Sequence, residues 1–120
     1  MSDHQEFVRL WFAWRRQPPP VSRFRNGSRL APTHDLEGAL DHLVSSSYAL
    51  GSGYLSGARQ DCAIHAARQL AELDQVAGMM GGVAMDTALR AELTTYVTAM
   101  RSMLEALRSL GDRSAGGIAE

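Results

Sequence analysis

The chain has no lysine: all twelve basic residues among its 120 are arginine. It has a single cysteine, Cys62, which excludes an internal disulfide and a cysteine-built zinc centre. No apolar run approaches the length of about 18 residues that a membrane-spanning helix needs. No apolar core with a small-residue cleavage site is legible near the N-terminus, so the expected location is the cytoplasm. Strand-type alternation and internal repeats are also missing. What remains is 45% hydrophobic and 21% charged, an ordinary make-up for one globular domain and not for a disordered chain.

The net charge of −1 hides a division. Residues 1–34 carry six arginines against Asp3 and Glu6, a balance of +4, which leaves −5 for the rest. Arginine presents a planar fork to carboxylates and phosphates, although a GC-rich genome explains the missing lysines just as well. The acidic remainder would repel phosphates, so nucleic acid is disfavoured as a partner.

Ser2 and Gln5 have the spacing of a capping box. Behind it Phe7, Leu10, Trp11 and Trp14 fall on one face of a helix over residues 1–16, with Val8 and Phe12 widening that face. Gln17-Pro18-Pro19-Pro20 ends it. Residues 17–34, rich in Pro and Arg and containing Asn26-Gly27, read as an extended linker or arm.

The helical domain is expected over 35–111. Its first helix, capped by Thr33 or Asp35, carries Leu36, Leu40, Leu43, Ser47, Leu50 and Tyr54 on one face. The Ser/Gly-rich stretch at 51–57 predicts a break or kink, or else the close approach of another helix. A second helix is expected from Ala58 to Ala77, with Gly78 as its stop and Met79, Met80 and Met85 around Gly81-Gly82 at the hairpin end. Asp86 caps the last helix, whose seam is Leu89, Leu93, Tyr96, Met100, Met103, Leu107 and Leu110; Gly111 is read as its end, and 112–120 as a flexible tail. The fold class is therefore all-α: a small bundle built on an antiparallel helical hairpin, with an N-terminal aromatic helix and an extended linker. Three helices make a thin core, so a homodimer is expected, with the last seam serving either self-association or the core.

No constellation for chemistry stands out, and no cofactor, metal or catalytic residue is expected. Asp61, Cys62 and His65 lie near one another on a helix, but two or three ligands from one turn make a poor metal site. His34, Glu37, Asp41 and His42 read as a solvated acidic first turn.

Ile64-His65-Ala66-Ala67-Arg68-Gln69 resembles the phosphoacceptor segment of histidine-phosphotransfer domains, in which an exposed His is followed three residues later by a basic residue. It departs from that pattern at Ala67, where Leu is usual, and at Gln69, where Gly belongs. The resemblance implies a signalling role with His65 as the alternative phosphoacceptor.

In size and helical layout over residues 35–110, the chain also resembles small helical bacterial anti-activators of LuxR-type quorum-sensing regulators, a likeness of shape without a shared motif. It implies a non-catalytic regulator that sequesters a transcription regulator by occupying its dimerisation or ligand-binding domain. Such binding needs an exposed apolar patch. The expected partner-binding residues are Phe7, Trp11, Trp14, Arg15 and Arg16, with Val97 and Leu104 on the last helix.

Overall fold

The computed structural model describes residues 2–18, 33–83 and 85–119, and among them it is all-α, with four helices and no strand. These are α1 (Asp3–Arg15), α2 (Thr33–Leu55), α3 (Cys62–Gly82) and α4 (Thr87–Ala119). Residues 19–32 of the expected linker lie outside the described residues.

Each helix end has a local cause. Ser2 caps α1, accepting from the Gln5 N–H while the Gln5 side chain accepts from the Ser2 N–H, so both halves of the capping box are made. α2 runs through Gly51 and Gly53 without a break and stops at Leu55. There Gly57 adopts φ +105°, Ala58 N–H donates to the Gly53 carbonyl and Gly57 N–H to that of Tyr54. These two bonds and the positive φ make a Schellman motif, which glycine adopts without a Cβ clash.

α3 starts four residues later than the expected Ala58, because Asp61 takes a left-handed conformation (φ 59°) and separates the turn from the helix. It also passes the expected stop at Gly78 and ends at Gly82. The extra turn is held from outside: the Arg90 guanidinium of α4 donates to the carbonyls of Met80 (2.8 Å) and Val83 (2.6 Å). A cation on a helix's last carbonyls satisfies orphan acceptors and complements the dipole. Asp86 accepts from Leu89 N–H and caps α4, as its sequence position suggests.

α4 does not end at Gly111 but stays helical to Ala119. Gly111 serves packing instead. A Cβ there would lie 2.5 Å from the Ala63 backbone nitrogen, so this glycine lets α3 and α4 touch backbone to backbone.

The four helices alternate in direction around one core. Ser47 bonds to Gln69 across α2 and α3, and Arg101 pairs with Asp74 across α3 and α4. α1 closes the ring, packing along α4 and reaching α2 through its aromatic side chains. The seam of α4 is buried from Leu89 to Leu107, and Leu110 is half-buried. It faces Leu36, Leu40 and Leu43 of α2 and Ala66, Leu70, Leu73 and Val76 of α3 in a single cluster. Met80 is buried, with Met79 and Met85 packed against the same cluster at the hairpin end. The expectation of a second copy rested on a three-helix core. α1 supplies the fourth helix from within the chain, so that argument for a dimer falls away.

Candidate protein-binding surface

The aromatic face of α1 is turned inward. Phe7 and Trp14 are fully buried and Trp11 nearly so, and they interlock with three tyrosines. Phe7 meets Tyr54 edge-on at 5.0 Å between ring centroids, Trp11 meets Tyr48 at 5.5 Å and Trp14 meets Tyr96 at 5.9 Å. His4 Nδ1 lies 3.1 Å from the Tyr54 hydroxyl and fixes the start of α1 to the end of α2. Burying each large apolar side chain contributes about 1.5–3 kcal/mol, which is how a 13-residue helix too short to stand alone is held. The docking has one defect: Trp14 Nε1 is buried without a well-formed hydrogen bond, reaching the Tyr96 hydroxyl only imperfectly.

The expected exposed patch is therefore corrected. Phe7, Trp11, Trp14, Val97 and Leu104 all lie in the core cluster. Val97 and Leu104 sit beside the α4 seam, and four helices around one core cover a wider stripe of α4 than the heptad seam alone. Arg15 and Arg16 are exposed, as expected.

Two large apolar side chains reach solvent at the α1–α2 junction: Phe12, expected to widen the apolar face of α1 but pointing away from the core, and Tyr48, which periodicity does not single out. Phe12 is 53% exposed and Tyr48 43%. Phe12, Arg15 and Arg16 share one face of α1 at i, i+3 and i+4. The Arg15 guanidinium lies 4.4 Å over the Tyr48 ring and 5.5 Å from that of Trp14, a cation–π arrangement that holds a charged fork flat across the α1–α2 junction. Arg16 Nε donates to the Phe12 carbonyl (3.4 Å), which folds the second guanidinium back over the last turn of α1. Phe12, Arg15 and Arg16 thus face solvent together at the end of α1, and Arg15 joins that face to Tyr48 of α2. Arginine with aromatics is the pairing enriched at the energetic centres of protein interfaces.

Elsewhere the candidate residues stay apart. His65 and Arg68 are exposed on α3, and Ile64 beside them is 60% exposed. Cys62 is buried at the start of the same helix. Among the described residues no three His, Cys, Asp or Glu side chains gather as metal ligands would, and no helix is long and apolar enough to cross a membrane. His42 of the acidic first turn lies 4.0 Å from Glu72 on α3; the side chain of His34 lies outside the described residues.

What the geometry defines is a class, the all-α four-helix bundle with an aromatic–arginine surface. No family model matches the chain, and no curated protein or solved structure matches it.

Proposed function

We propose that this bundle is a non-catalytic regulator that works by binding another protein, using the surface of Phe12, Arg15, Arg16 and Tyr48. The observation carrying this reading is the Arg15 guanidinium stacked on an exposed Tyr48. The aromatic plane is presented to solvent with its charge already in place, so little side-chain freedom remains to be lost on binding. The chemistry fits an acidic partner surface with an apolar centre, and the +4 balance of residues 1–34 adds long-range attraction to it. The partner class we propose is a transcription regulator of the LuxR type, sequestered through its dimerisation or ligand-binding domain in the cytoplasm, as the resemblance in size and layout implies.

The test is capture from native lysate by the wild-type chain and by a Phe12→Ser/Arg15→Glu double variant, with mass spectrometry of the retained proteins. Neither position lies in the core, so both chains should fold. A transcription regulator held by the wild type and lost by the variant supports the reading. Equal retention by both, or no regulator retained, contradicts it.

A second reading has one observation in its favour: His65 and Arg68 stand exposed one turn apart on a bundle helix. A histidine phosphoacceptor needs that access and a counter-charge for its phosphoryl group. Incubation with a phosphorylated receiver domain should then label the wild type and leave His65→Ala unlabelled.

A further inference from the structure

α3 and α4 do not stay equally close along their length. At one end Gly111 lies against the Ala63 backbone. At the other, where Ala77 and Gly81 face Val97 and Thr98, the helices leave an open groove of about 310 Å³. Of the three α3 residues on the wall, Ala77 and Gly81 are small and Met80 is large, yet α4 does not use the space the small ones leave. A Cβ added at Gly78, Gly81 or Gly82 would meet nothing within 4 Å. Glycine inside a helix is destabilising relative to alanine, and packing within the chain gives no reason for it here, unlike Gly111.

Two guanidiniums line the same groove. Arg90 is held rigid by its bonds to the Met80 and Val83 carbonyls and keeps further N–H donors free of them. Arg101 is paired with Asp74 at 2.5 Å, but Asp74 is exposed and Arg101 half-buried at the surface, and such a surface pair is readily exchanged. The groove therefore sets apolar Ala77, Met80, Gly81 and Val97 beside Thr94 and Thr98, with one fixed and one exchangeable cationic fork. Its volume is at the low end of the range for small-molecule sites, which runs from about 300 to 1,000 Å³.

We propose that this groove binds a small amphiphilic carboxylate, its chain lying over Ala77, Gly81 and Val97 and its carboxylate replacing Asp74 at Arg101, with Arg90 as the fixed second charge. A carboxylate matches the planar fork of arginine in two parallel hydrogen bonds. The site is separate from the α1–α2 surface, so it stands or falls independently of the partner-binding reading.

Calorimetric titration of the full chain with decanoate, decanol and inorganic phosphate tests it. Saturable decanoate binding is expected, with decanol weaker by about tenfold or more and no binding of phosphate. Gly81→Leu fills the groove from a position where a side chain has room, and should abolish binding while keeping the helical circular dichroism. Arg101→Gln should weaken decanoate by about tenfold, and it decides the matter alone if Gly81→Leu fails to fold. Absence of saturable decanoate binding, equal affinity for decanol, binding of phosphate alone, or unchanged affinity in the folded variants would overturn the proposal.

Discussion

The six-membered ring of Trp11 occupies the space where a Cβ of Gly51 would stand. One glycine of α2 and one tryptophan of α1 thus form a knob and its socket, and the socket exists only because the residue is glycine. Gly51→Ala should destabilise the fold by about 1–3 kcal/mol, the usual range for overpacking a filled core. Gly38→Ala, on the same helix but facing open space, should stabilise it by about 0.5–1 kcal/mol. Urea midpoints of the two variants against the wild type check both signs.

Trp14 and Trp11 are buried alike but differ in one atom. Trp14 Nε1 is a buried donor with no well-formed hydrogen bond, only an imperfect approach to the Tyr96 hydroxyl, and Trp11 has no such orphan. An unsatisfied buried donor costs about 1–3 kcal/mol, and phenylalanine removes it. Trp14→Phe should therefore destabilise less than Trp11→Phe, although each loses the same volume. Chemical denaturation of the two variants gives the comparison; equal losses would mean that the Trp14 N–H finds a partner in solution.

Arg90 holds the last turn of α3 by side chain alone. Arg90→Ala frees two carbonyls at a helix end that already contains Gly81 and Gly82. The expected loss is about 1–2 kcal/mol, with amide exchange rising first in the final turn of α3. Arg90→Lys should recover only part of this, since a single ammonium lacks the fork that spans both carbonyls.

Burial raises the pKa of the Tyr96 hydroxyl above its ordinary value, with the positive charge of Arg15 and the neighbouring Trp14 N–H opposing the shift. The folded state thus holds this proton more tightly than the unfolded chain, whose tyrosine titrates near about pH 10. The contribution is intact below that value and is lost as pH rises through the higher folded pKa. Stability measured between about pH 9 and pH 11 should fall for the wild type, and fall less for Tyr96→Phe.

The helical seams were legible because burial imposes a period on the sequence. Leu89 to Leu107 and the Ser2–Gln5 box needed nothing beyond spacing. The glycines were harder to read. Gly78 and Gly111 carry the stop signal of a helix end, but Gly111 is needed for the touch of Ala63, and the turn beyond Gly78 is held by Arg90. Both causes lie on another helix, and single-helix patterns hold no trace of them. The aromatic stripe of α1 has the same limit. Phe7, Trp11 and Trp14 look alike whether they dock at home or on a partner; what distinguishes the cases is the socket at Gly51. Phe12 and Tyr48 fell outside the expected surface because neither sits on the main apolar period of its helix.

The central claim is that α1 spends its tryptophans on the chain's own core and presents Phe12, Arg15 and Arg16 outward. Acrylamide quenching of tryptophan fluorescence in the full chain tests this most directly, since both tryptophans are on α1. Blue-shifted emission is expected, with weak quenching that rises to the free-indole level only when the protein is unfolded in urea. Solvent-like emission and full quenching in the native protein would contradict it and make α1 a free arm.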